Sequence, residues 1–140
     1  MKKELEEQLI EKYPKIFNID KLDTKEPFPI FKIECGDGWY NLLDDLCDSI
    51  QFHIDYNIKN TELESSQVVV KQIKEKFGGL RFYFRGGNEY INGMVSFAEK
   101  MSYKICEHCG TNKNVTTEGK DWIITLCNNC RDIHNKKIRF

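Results

Sequence analysis

Val68-Val69-Val70-Lys71-Gln72-Ile73-Lys74-Glu75-Lys76-Phe77-Gly78-Gly79-Leu80-Arg81-Phe82-Tyr83-Phe84-Arg85 decides the fold class. Gly78-Gly79 is a two-residue turn signal between two runs of strand-forming residues. Pairing Phe77 with Leu80 sets Glu75 opposite Phe82 and Ile73 opposite Phe84. One face then carries Ile73, Phe77, Leu80, Phe82 and Phe84, with Glu75 as the misfit. The other face carries Gln72, Lys74, Lys76, Arg81, Tyr83 and Arg85. A helix over Val69–Phe77, ended by Gly78, also fits the apolar spacing. Leu80–Arg85 alternates cleanly, however, and an alternating strand needs a partner, so the hairpin is preferred.

Helical patterns lie on both sides of this hairpin. Residues 3–13 place Leu5, Leu9 and Tyr13 on one stripe, stopped by Pro14. Asn18 to Pro29 reads as a loop, and Phe28–Ile33 as an edge strand, where Pro29 is tolerated. After Gly36-Asp37-Gly38, Asp37 is expected to cap a helix running to Ile58, with Leu43, Leu46, Cys47, Ile50, Ile54 and Ile58 inward. Asn88 is expected to cap a second long helix over Glu89–Lys104, with Ile91, Met94, Val95, Ala98 and Met101 on its apolar stripe.

Cys106-Glu107-His108-Cys109 and Cys127-Asn128-Asn129-Cys130 follow, 17 residues apart. Paired Cys-x-x-Cys at this spacing is the arithmetic of one structural Zn²⁺ held by Cys106, Cys109, Cys127 and Cys130. Gly110 permits the turn of a knuckle, Thr111–Asp121 suits a hairpin, Trp122–Leu126 a returning strand, and Arg131–Ile138 a helix. That order is expected to form a treble-clef-like or zinc-ribbon-like finger. Two redox dithiols are the rival reading of the same pairs. His108 and His134 are expected at the surface or behind the ligands, and His53 as a solvated or core histidine. Cys35 and Cys47 lack partners at ligand spacing, and Cys47 reads as a small core residue.

The expected architecture is therefore α+β: a small antiparallel sheet with packed helices and a C-terminal zinc finger. Residues 1–140 read as one domain, with a core over 1–105 and a zinc module over 106–140 integrated with it. Among 140 residues, 31% charged, no apolar run approaches the length of a spanning helix, and Met1–Glu7 has no apolar leader pattern. Reduced thiols on a metal in the cytoplasm are the expectation, with no membrane partner.

The net charge of −1 hides an uneven distribution: residues 1–67 hold 8 Lys against 15 acidic residues, while residues 68–140 hold 13 basic against 7 acidic. Either the two halves pair internally, or the basic hairpin face (Lys74, Lys76, Arg81, Tyr83, Arg85) meets an acidic partner.

Lys74-Glu75-Lys76-Phe77-Gly78-Gly79-Leu80-Arg81-Phe82-Tyr83, with Gly38-Trp39-Tyr40 upstream and the Cys-x-x-Cys and Trp-x-x-x-Leu-Cys patterns downstream, resembles a family of small uncharacterised bacterial, phage and prophage proteins. The likeness runs from about Gly36 to Cys130. It implies a phage or mobile-element origin, action on a host protein or a nucleic-acid complex, and no assigned catalytic residues.

Two function classes follow. A non-enzymatic, zinc-stabilised binding or regulatory protein is preferred, with a protein partner first and nucleic acid second. For nucleic acid, the hairpin cations are joined by Arg131, Lys136, Lys137 and Arg139, although a sequence pI near 6.3 weighs against a dedicated binder. The enzyme class is a degenerate nuclease of the HNH type. It lacks a histidine between the two Cys pairs, and four thiolates leave no metal position open for water.

Overall fold

A computed structural model describes residues 1–18, 32–58 and 66–138, and these form an α+β fold. Helix α1 (Lys3–Lys12) ends one residue short of the expected 3–13, before Pro14, and buries Leu9; Tyr13, just after it, is buried too. Helix α2 (Tyr40–Asn57) buries Leu43, Leu46, Cys47, Ile50 and Ile54, and helix α3 (Glu89–Ser102) buries Ile91, Val95 and Ala98. Asn88 caps α3 as expected, its side chain accepting the Ile91 N–H at 3.0 Å.

Asp37 does not cap α2. A 3₁₀ turn, Asp37–Trp39, precedes the helix, and the Asp37 carboxylate instead accepts the backbone N–H of Lys2 at 2.7 Å. Trp39, fully buried, donates its indole N–H to the Ile105 carbonyl at 2.9 Å.

Strands β1 (Ile33–Glu34), β2 (Val69–Lys76) and β3 (Gly79–Arg85) form one sheet in that order, β1 parallel and β3 antiparallel to β2. Most of the strand expected over Phe28–Ile33, and of the loop before it, lies outside the described residues. The hairpin is present, with its register moved. Lys76 pairs with Gly79 and Ile73 with Phe82, so the turn is Phe77-Gly78, both with positive φ (52° and 84°). The reason is that both glycines serve close approaches. A Cβ on Gly79 would sit 2.2 Å from the Tyr103 hydroxyl, and one on Gly78 2.6 Å from Thr117 Cγ2. Phe77, expected on the inner face, is thus 67% exposed at the turn.

Moving the turn by one residue changes each partner by two, so the faces survive. Ile73, Leu80 and Phe82 are buried, and Glu75, the misfit, accepts the Gly78 N–H at 3.1 Å. Strand β3 is a sheet edge, and α3 covers its free donors. Ser102 Oγ accepts the Leu80 N–H and Glu99 accepts the Phe82 N–H, both at 2.9 Å, which blocks further strand pairing there. Among the described residues no helix is long and apolar enough to cross a membrane.

Candidate metal centre

Beyond α3, Cys106–Cys109 forms a tight turn, followed by strands β4 (Val115–Glu118) and β5 (Ile124–Cys127), paired antiparallel, and helix α4 (Asn128–Ile138). In the turn, Gly110 takes φ +82° and its N–H donates to the Cys106 carbonyl at 2.9 Å, while the Cys106 N–H donates to Thr111 at 2.8 Å. This reversal brings the first two thiols together with the second pair. The second pair straddles the start of α4, where the Cys130 N–H points at Cys127 Sγ at 3.4 Å. Free N–H groups at a helix start favour thiolate charge.

The four Sγ atoms of Cys106, Cys109, Cys127 and Cys130 lie within 4.8 Å of one another. The Cys109–Cys127 Sγ separation is 3.8 Å. A tetrahedral thiolate site with metal–sulfur bonds of about 2.3 Å has sulfur–sulfur edges of about 3.8 Å, so the residues fit a metal ion. Burial pushes the Cys106 thiol up, but backbone hydrogen bonds from Cys109, Cys127 and His108 outweigh it and hold the thiol down at about 7. Cys130 is pushed up, by burial and then by the neighbouring thiols that it would share a metal with.

His108 and His134 stand outside this cluster, their rings edge-to-face at 6.4 Å. Cys35 and Cys47 are also outside it and sit in the main core, where burial pushes Cys35 up to about 12 and raises Cys47 as well. His53 is neither isolated nor in the core: it stacks on Tyr90 with centroids 4.3 Å apart and lies 3.2 Å from the Asn88 amide.

Glu107, between the first two ligands, carries a role that its spacing did not reveal. Its N–H donates to Thr125 at 3.1 Å, its carbonyl accepts Gly38 at 2.8 Å, and its carboxylate accepts Gly36 at 2.9 Å. Gly36 and Gly38 are glycines because the knuckle lies against them; a Cβ would meet Glu107 O at 2.3 Å or Cys106 O at 2.1 Å. On the far side of the finger, Thr125 Oγ1 donates to the Gly78 carbonyl at 2.6 Å. The metal cluster is therefore tied to both the α2 entry and the β2–β3 turn.

The hairpin's outer face holds the five expected residues. Lys74 stands opposite Arg81, and its ammonium lies 5.9 Å from the Tyr83 ring centre. None of Lys74, Lys76, Arg81 and Arg85 makes an ion pair with a described residue; Asp44 of α2 pairs instead with Lys12, and Asp37 at its entry with Lys2. Arg81 donates to the Leu80 carbonyl at 2.9 Å and the Tyr103 hydroxyl at 3.3 Å, and that hydroxyl, with Glu99 at longer range, favours its charge. Arg131, counted above among the basic contacts, is occupied within the finger by the Thr116 and Ile124 carbonyls. Arg139 lies outside the described residues.

Comparison with protein-family models, curated proteins and solved structures returns no match.

Proposed function

We propose that this is a zinc-stabilised binding protein without catalytic machinery, whose finger holds a basic recognition surface on the β2–β3 hairpin. Four thiolates at tetrahedral spacing suit zinc, and a complete thiolate shell leaves the metal no position for substrate or water. Knuckle, hairpin and helix in that order support a treble-clef-like finger.

The observation that carries the binding function is the Lys74–Arg81 pair. Like charges directly opposite on neighbouring strands destabilise a sheet. Here they face each other with no carboxylate paired to either among the described residues, which supports a role for them outside the fold. An acidic partner supplies what the fold withholds, either a protein surface or a nucleic acid.

Charge reversal of Lys74 and Arg85 tests this without disturbing the bonds that Arg81 makes. With heparin as a generic polyanion, the wild type is expected to be retained at about 0.1 M salt and the double variant to elute early, with metal content and melting unchanged. Equal elution with a lowered melting temperature would contradict the proposal.

A further inference from the structure

Around the basic face stand side chains that charge attraction alone does not require. Tyr83 is 41% exposed in its middle, Phe77 67% exposed at the hairpin tip, and Trp122 72% exposed in the β4–β5 loop. That loop abuts the same tip: Ile123 Cγ2 lies 3.2 Å from the Cβ position of Gly78, and Thr125 bonds the Gly78 carbonyl. Lysines sit beside the hairpin rings, Lys74 at 5.9 Å from the Tyr83 centre and Lys76 at 5.7 Å from the Phe77 centre. Aromatic rings are thus interleaved with cations across the junction of hairpin and finger.

We infer that this junction binds single-stranded nucleic acid. The inference rests on the hairpin face being the recognition surface, and names its partner. Exposed rings stack bases only where the bases are unpaired, and such stacking tolerates any sequence. A base laid on Phe77 or Tyr83 brings its own phosphate towards the adjacent ammonium. The cation chemistry points the same way. Lys74 and Lys76 are point charges, suited to phosphate. Phe77 also holds φ 52°, a region costly for a residue with a side chain, where glycine or asparagine would sit more easily. A bulky ring kept exposed at that position has no packing reason in the described fold.

Fluorescence anisotropy on the full zinc-loaded chain tests the inference with four labelled probes: a 12-nucleotide deoxythymidine strand, an RNA strand of equal length, a 20-base-pair duplex and a polyglutamate peptide. Three or four phosphate contacts predict a log–log salt slope of roughly −2 to −3 for the single strands. Phe77→Asn, which suits the positive φ, and Trp122→Ser should each weaken single-strand binding by about tenfold or more, with zinc content unchanged. Lys74→Gln with Lys76→Gln should weaken it and flatten the slope.

Duplex binding as tight as single-strand binding would overturn the stacking mode. Binding of polyglutamate alone, lost on charge reversal and insensitive to Phe77→Asn, would overturn the nucleic-acid inference and leave the recognition face standing. Failure of every probe, with charge reversal only lowering the melting temperature, would remove both.

Discussion

The backbone N–H of Gly38 donates to the carbonyl of Glu107 at 2.8 Å, joining the entry of α2 to the residue between the first two metal-ligating cysteines. With the Trp39 indole bonded to Ile105, the main core contacts the residues on both sides of Cys106. The cysteine cluster and the main core therefore meet at a backbone contact that tolerates no side chain.

Gly38→Ala places a Cβ 2.1 Å from the Cys106 carbonyl, and neither backbone can yield cheaply. Expected is a loss of about 1–3 kcal/mol, of the size seen for overpacking, together with weaker metal retention. Gly93→Ala is the matched opposite. Gly93 lies inside α3 with nothing within 4 Å of its Cβ position, so alanine should stabilise by roughly 0.5–1 kcal/mol. Denaturant melts of both variants check the two signs together.

Thr125→Val keeps the shape of a buried side chain but removes the hydroxyl that donates to Gly78 and meets Thr117 Oγ1 at 2.7 Å. A buried carbonyl left without a donor costs about 1–3 kcal/mol. Urea unfolding should show that loss with zinc content intact, and an unchanged midpoint would mean that the finger is not held to the hairpin by this bond.

Asp44 accepts Lys12 Nζ at 2.7 Å and the Tyr13 hydroxyl at 2.6 Å. Burial by itself raises this carboxyl, but the two hydrogen bonds outweigh it and hold it below its ordinary value of 3.8. A depressed carboxylate contributes stability that is present above its unfolded value and is lost as pH falls through the folded one. Asp44→Asn should therefore melt a few degrees lower than wild type at pH 5–8, the difference closing below about pH 4. A gap that does not narrow as pH falls below about 4 would show that the ionic form is not what matters.

Much of this was legible in the residues. The periodicity of Leu43 to Ile54 and of Ile91 to Ala98 marked both long helices, and the Cys spacing marked the four-cysteine cluster, because both are local patterns. The hairpin's exact register was not, since Gly78-Gly79 reads as a turn until Tyr103 and Thr117 are known to pack against those glycines. Asp37 looked like a cap for the same reason: its partner, Lys2, lies 35 residues away. Glu107 was hidden entirely, as nothing in Cys-x-x-Cys distinguishes a spacer that faces solvent from one that docks on Gly36 and Gly38.

Cys47→Ala and Cys35→Ser should leave zinc content unchanged, since both thiols lie in the main core and outside the cluster. Cys47, fully buried, should still lose stability on truncation, by about 1 kcal/mol. Metal loss in either variant would reassign the ligands.

The most direct measurement is metal content and melting temperature of one preparation, before and after chelation, beside Cys106→Ser and Cys130→Ser. Zinc sites in small fingers contribute about 10–16 kcal/mol of folding free energy at pH 7. Expected is one zinc per chain, with chelation and either substitution lowering metal content and melting temperature together. A metal-free chain with an unchanged melting curve would contradict a zinc-held fold.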